Sequence, residues 1–191
     1  MISVIIATYN DQWVTDHRFD IEWSVRSAAQ QHDLSTEVVR IHRDTLHEAR
    51  NEGALKAKGS RLVFLDGDDW LEPDFTQLIV EPEDILQPRT RFWTKATNEF
   101  TPPEYIAPRA DLLDGNHLIV GCPVNRQLFL DVGGFDDWPI YEDWALWLKM
   151  RKAGATFGKT SGVYNIQTQP QGRNAGEYAG TTYDQIRATY A

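Results

Sequence analysis

The chain has 191 residues, a length suited to one domain with a sizeable core, and 41% hydrophobic with 12% aromatic residues is a globular composition. A formal net charge of −9 opposes any large basic footprint on a nucleic-acid backbone or an anionic membrane. The only cysteine, Cys122, excludes an intrachain disulfide and a cysteine-based zinc site, and reads as a small buried hydrophobe.

Ile2 to Ala7 is a continuous β-branched apolar run of strand length, expected at the centre of a parallel sheet covered on both faces. It is too short for a signal peptide and stops at Thr8, Tyr9, Asn10 and Asp11, either a plain turn or a ligand-reading loop. No apolar run is long enough to cross a bilayer, so a soluble, cytoplasmic chain is expected. From Asp20, an N-cap candidate, to Gln31 the residues Ile21, Val25, Ala28 and Ala29 recur at helical spacing, and Glu37 to Ile41 is a second strand. Leu46, Ala49, Gly53 and Ala57 then make a narrow small-residue helix face, with Gly59 placed as a C′ stop. Leu62 to Leu65 is the third strand. The order βαβαβ predicts an α/β fold, a Rossmann-like, mostly parallel sheet with right-handed crossovers and flanking helices. Neither GxGxxG nor GxxxxGK[ST] is present, so neither an NAD fingerprint nor a P-loop is supported.

The third strand empties into Asp66, Gly67, Asp68 and Asp69. Strand ends are where open α/β sheets bind ligands, and carboxylates crowded there repel unless water, basic groups or a cation offsets them. Mg²⁺ or Mn²⁺ is the natural offset, because such ions take one or two protein carboxylates and complete their shell with phosphate and water. An ordinary Asp-Gly turn is the alternative. A calcium loop of the EF-hand kind fails, since its fifth and sixth places fall on Trp70 and Leu71. A phosphohydrolase of the haloacid dehalogenase type stays open as a second reading, although Trp70 stands where such enzymes usually have Thr.

Pro73 opens a short helical run to about Val80, and Glu81 to Pro108 reads as irregular because Pro82, Pro88, Pro102, Pro103 and Pro108 interrupt it, with Arg91 to Lys95 a possible strand. Phe92 and Trp93 read as packing. His117 to Pro123 is apolar enough for a strand, and Asn125 to Val132 for a helix ended by Gly133 and Gly134. Asp136, Asp137, Glu142 and Asp143 then lead into the helix WALWLKMRKAG. Acidic residues at a helix start favour the macrodipole, so taken alone Glu142 and Asp143 read as caps. Gln169 to Gly180, rich in Gly and Gln, reads as flexible or as a lid. The five histidines show no ligand spacing.

The segments SVIIATYN, ARNEGALKAKGSRLVFLDGDDWLEPDF and VGGFDDWPIYEDWALWLKMRKAG, in this order and spacing, resemble the family 2 glycosyltransferases with the GT-A fold, over about Met1 to Val80 and His117 to Gly154. The resemblance implies a single GT-A-like domain over 1–191, with a nucleotide-sugar donor half at 1–80, an acceptor and catalytic-base half at 110–168, and a flexible tail or lid at 169–191. It implies that Thr8, Tyr9 and Asn10 close over the donor base and that Arg50 and Asn51 lie near the nucleotide and diphosphate. Asp66 and Asp68 match the DxD pair that reaches ribose and holds Mn²⁺ or Mg²⁺ against the diphosphate, with Asp69 in support. Asp143 matches the catalytic base, with Glu142 and Trp144 lining the acceptor side. The implied activity is metal-dependent, inverting transfer of a sugar from a nucleotide-diphosphate sugar to a hydroxyl of a saccharide, lipid-linked glycan, protein or modified nucleic acid. A non-catalytic nucleotide-sugar-binding module is a further alternative. Two departures stand out. His42 and Arg43 occupy the place of an acidic base-reading pair, so uridine is not implied, and Tyr164 to Gln167 replace a segment often basic or His-bearing, so no third metal ligand is implied.

Overall fold

The structure, a computed structural model, describes residues 1–9, 21–31, 35–168 and 179–191. Asn10, Asp20 and most of the Gln169 to Gly180 segment lie outside the described residues. Strand β1 (Ile2–Tyr9) is central, as its apolar run predicts: Val4, Ile5 and Ile6 are buried, and it pairs in parallel with β2 (Thr36–Arg43) on one side and β3 (Arg61–Leu65) on the other. Between them run α1 (Ile21–Ala29) and α2 (Leu46–Lys56), the latter capped by Thr45, whose hydroxyl accepts from the Glu48 amide. The small-residue face of α2 has a steric cause. A Cβ added at Gly53 would lie 2.5 Å from Ile5 Cγ2, so the glycine lets the helix settle on β1. Gly59 is not the helix stop. The cap is Ala57 in extended conformation, and Gly59 donates its N–H to Ser3 Oγ at 2.8 Å, where a side chain would strike β1.

The second half departs further from the sequence pattern. It contains β4 (Trp70–Leu71), β5 (Ile85–Thr94), β6 (Glu99–Phe100), β7 (Val124–Asn125), α3 (Arg126–Asp131), α4 (Glu142–Lys152), β8 (Phe157–Thr168) and α5 (Ala179–Tyr190). The sheet order is β2-β1-β3-β7-β5-β8-β4, with β6 on β5. Pairs β1/β2, β1/β3 and β5/β8 are parallel, while β3/β7, β7/β5, β8/β4 and β5/β6 are antiparallel. The single α/β domain is therefore built on a mixed sheet flanked by helices, and the Rossmann-like, mostly parallel expectation holds only for β2-β1-β3. Two-residue strands such as β7 and β4 carry no readable periodicity, yet they set the sheet's mixed character.

Residues 73–78 form turns, mixing i+3 and i+4 hydrogen bonds, instead of a helix, and His117 to Pro123 is irregular instead of a strand. The proline-bearing middle is not irregular throughout. Strand β5 runs straight through Pro88, and its register against β8 slips between Gln87 and Arg89, so the missing N–H falls in the irregularity. Trp93 stacks between Trp23 and Phe100, which is packing, and Cys122 is fully buried. Within the expected tail, α5 is ordered helix. Thr182 and Ile186 are buried, and Tyr183 and Tyr190 pack against the cluster that contains α4. Among the described residues no helix is long and apolar enough to cross a membrane.

Candidate active site

The parallel strands end together, and the turn after β3 delivers Asp66, Asp68 and Asp69 to that end. The Asp69 N–H closes on the Asp66 carbonyl at 3.1 Å, so the three carboxylates project from one tight turn. Asp69 is buried. Its Oδ1 accepts from the Gln167 amide at 3.0 Å, and it is hydrogen-bonded to the Tyr164 hydroxyl, which in turn accepts the Asp66 N–H at 3.2 Å. Burial, then the charges of Asp68 and Asp66, push the Asp69 carboxyl well above the usual carboxylate range.

The second acidic cluster opens α4. Tyr141 precedes it in a left-handed conformation, φ 59° and ψ 25°, which non-glycine residues rarely adopt, and it provides no side-chain cap. The helix start is capped from within instead, since Asp143 Oδ1 accepts the Trp144 N–H at 2.7 Å. Asp143 Oδ2 accepts from Asn116 Nδ2 at 3.0 Å, and Asn116 Oδ1 accepts the Leu118 N–H at 3.0 Å, which fixes the amide with its nitrogen toward Asp143. Burial and the neighbouring Glu142 charge raise the Asp143 pKa to about 7, against the Trp144 N–H, Arg50 and Asn116, which lower it.

One residue joins the clusters. Arg50, on α2 and 1% exposed, places Nη2 2.6 Å from Asp66 Oδ1 and Nη1 2.8 Å from Glu142 Oε1, with its guanidinium 5.0 Å from the Phe135 ring centre. Burial disfavours its charge, but the two carboxylates outweigh that and hold its pKa above the ordinary value. Asn51, next along the helix, braces the adjacent turn: its amide donates to the Phe135 carbonyl and accepts the Phe135 N–H, both at 2.8 Å. Gly134, at φ 68°, lies against that amide, where a Cβ would be 2.3 Å from Asn51 Oδ1.

The clusters face one cleft of about 640 Å³, walled by Arg50, Asp66, Asp69, Glu142, Asp143 and Trp144 among others. Trp144 is fully buried, its Nε1 donating to the Leu112 carbonyl at 2.7 Å. Asn51, Asp68, Thr8 and Tyr9 are not on that wall. Thr8 Oγ1 is 3.0 Å from His42 Nδ1, and Tyr9 pairs with Arg43 across β1/β2, while Arg43 forms an ion pair with Glu52. Sequence reasoning missed Asn116, Tyr164 and Tyr183, all on the cleft wall. Tyr183 had a signal, because Tyr183, Ile186 and Tyr190 recur at i, i+3 and i+7. Among the described residues no group of three or more His, Cys, Asp or Glu is set to hold a metal ion. Asp66 and Asp68 are partly exposed hard-oxygen donors, and that pair suits a cation that draws its other ligands from phosphate and water.

The family model described as Glycosyl transferase family 2 matches residues 14–126. No curated protein matches the chain in sequence. In fold, the chain is similar to S. aureus TarS, with 18% identity and a TM-score of 0.62 over 99% of this chain and 42% of that one. It is similar to TarS 1-349 in complex with UDP-GlcNAc, with 17% identity and a TM-score of 0.68 over 97% of this chain and 65% of that one. Against TarS 1-349 in complex with UDP the values are 18% and 0.62, over 99% and 70%. The chain thus spans less than half of the longest of these TarS chains.

Proposed function

The chain belongs to glycosyl transferase family 2, and from that premise we propose that it moves a sugar from a nucleoside-diphosphate sugar to an acceptor hydroxyl, inverting the anomeric carbon. The observation that carries this reading is the shared cleft, in which the acidic turn after β3 and the acidic start of α4 meet through Arg50. In this reading residues 1–80 hold the donor and 110–168 the acceptor, with α5 added to the acceptor side.

Asp143 is the base. An acceptor hydroxyl held beside it gives up its proton to the carboxylate as the oxygen bonds to the anomeric carbon, and the carbon–oxygen bond to the diphosphate breaks with its electron pair leaving on the diphosphate. A pKa near 7 suits a base that must be unprotonated to act yet strong enough to accept a proton. Asn116 and the Trp144 N–H fix the carboxylate's orientation. On the other side Asp66 and Asp68 would hold Mn²⁺ or Mg²⁺, which when bound supplies Lewis-acid stabilisation of the departing diphosphate. Asp69, held by Gln167 and Tyr164, keeps the turn in shape, and Arg50 balances Asp66 and Glu142. Thr8, Tyr9 and Asn10 would meet the donor base. TarS binds UDP and UDP-GlcNAc, so uridine donors are the first to try, although His42 and Arg43 stand at the base-reading place.

Thermal shift with UDP, GDP, TDP and CDP sugars, with and without Mn²⁺, followed by release of nucleoside diphosphate in the presence of glycoside acceptors, tests the reading. At least one donor is expected to stabilise the fold only with the metal, and Asp143→Asn to lose transfer by about 10²- to 10⁴-fold while still binding donor. Inorganic phosphate from simple esters with no nucleotide-sugar binding would assign a phosphohydrolase instead.

A further inference from the structure

The cleft wall beside Asp143 is aromatic as well as acidic. Tyr183, from α5, stacks on Trp144 with ring centres 4.5 Å apart and planes 24° apart, and Tyr141 meets both rings edge-on at 6.4 and 6.5 Å. Trp144 is fully buried and occupies one face of Tyr183, while Tyr141 and Tyr183 remain partly exposed in the cleft. Gly115, at φ 147°, lies between them and the polar rim, where a Cβ would be in ordinary contact with Arg109 Nε at 3.6 Å and the Tyr183 hydroxyl at 3.9 Å. Arg109 and Asp114 supply that rim with one donor and one acceptor group. The same wall carries Asp66, Asp69, Asp114, Glu142 and Asp143 against Arg50 and Arg109, and Arg50 is already paired.

We propose that Tyr183 forms the platform of an acceptor subsite for a neutral pyranoside, seated with its C–H face on the side of that ring away from Trp144, with Tyr141 as an upright side wall nearly perpendicular to it and a hydroxyl directed to Asp143. Each part of the chemistry points to that class. The apolar face of a sugar ring packs on an aromatic surface, while its equatorial hydroxyls reach groups around the rim. Arg50 is already shared by Asp66 and Glu142, and Arg187 pairs with Asp114 at 3.7 Å, so these cations are engaged and an anionic acceptor is disfavoured, while an acyclic polyol presents no rigid C–H face. The subsite rests on the transferase reading above for its role, because only there is the hydroxyl beside Asp143 an acceptor. Tyr183 belongs to α5, beyond the residues matched by the family model.

Saturation-transfer NMR tests it on the full chain with Mg²⁺ and UDP present, using methyl glycosides of neutral hexoses and N-acetylhexosamines, with sorbitol and glucose 6-phosphate as comparison probes. At least one neutral glycoside is expected to show saturation concentrated on the C–H protons of one ring face, with sorbitol and the phosphate ester much weaker. Tyr183→Phe is expected to keep that signal, and Tyr183→Leu, which retains apolar packing on Trp144, to weaken binding about threefold to tenfold. Thermal melts of both variants confirm folding, and the shifts with UDP, GDP, TDP and CDP sugars, with and without Mn²⁺, are read in parallel. Equal saturation of sorbitol, stronger binding of the phosphate ester, no glycoside signal, or an unchanged signal in folded Tyr183→Leu each overturns the platform. Absence of a metal-dependent shift with any of the UDP, GDP, TDP and CDP sugars in the wild type, with glycoside binding intact, overturns the transferase reading and leaves the pyranoside site standing.

Discussion

Arg50 keeps its charge in a place only 1% exposed, and the cost of burying it is offset by two carboxylates, one of them 92 positions away in sequence. Removing the guanidinium would leave Asp66 and Glu142 facing each other without a counter-charge. Arg50→Met should therefore destabilise the fold by about 3–5 kcal/mol, read as a lower urea midpoint at unchanged slope. Asp143 makes a prediction of the opposite kind. Its carboxyl titrates near 7 in the fold and near 4 in the unfolded chain, so the native state binds the extra proton between those values. This carboxyl's contribution to stability is full below about pH 4 and is lost as pH rises through about 7, while, on the proposed mechanism, transfer gains over the upper part of the same range as Asp143 loses its proton. Comparing wild type with Asp143→Asn isolates it from the other carboxylates: the stability difference should shift toward the variant across pH 4 to 7. A difference that stays flat would place the carboxyl at an ordinary pKa.

At the level of elements, the small residues of α2 are the clearest case of sequence carrying structure. Gly53 in mid-helix runs against helical propensity, and only the closeness of Ile5 explains it. Gly53→Ala gains about 1 kcal/mol of propensity but forces a methyl into 2.5 Å of Ile5 Cγ2, so net destabilisation of roughly 1–2 kcal/mol is expected by chemical denaturation. The β2-β1-β3 core was readable because β1 is a largely β-branched apolar run, β2 carries Val38, Val39 and Ile41, β3 is the apolar run Leu62 to Leu65, and helical periods separate them. Strand β8 was not, since Phe157–Thr168 mixes glycine, lysine and serine with apolar residues and its partner β5 is broken by Pro88. The site divided along the same line. Asp66, Asp68, Glu142 and Asp143 announce themselves by crowding charge at element ends, whereas Asn116, Tyr164 and Tyr183 are ordinary residues until the fold brings them to the cleft. The helix α5 carries its own check: Ile186 is fully buried, and Ile186→Ala should cost about 2–5 kcal/mol and loosen the Tyr183 to Trp144 stack, visible as a change in tryptophan emission.

For the molecule as a whole, the difficulty is charge. On the proposed function, a chain of net −9 binds an anionic diphosphate beside Asp66 and Asp68, and each like-charge pair at about 4 Å costs roughly 1 kcal/mol in water and about 4 kcal/mol at the effective dielectric of a protein surface. Arg50 cannot relieve this alone, since Asp66 and Glu142 already share it. A cation between the carboxylates and the diphosphate reverses the sign of the interaction, and the partly exposed pair Asp66 and Asp68 has the oxygen donors for it. Calorimetric titration of UDP should accordingly give affinity at least about 100-fold tighter with Mn²⁺ than with a chelator, a change of roughly 2.8 kcal/mol. Asp68→Asn should lose most of that metal-dependent gain, because it removes a cation ligand, and should bind UDP somewhat more tightly than the wild type in the chelator, because it removes one repulsive charge. UDP binding of equal strength in the chelator would mean that the acidic turn does not meet the diphosphate through a cation, and that the donor enters the cleft on its other side, past Arg109.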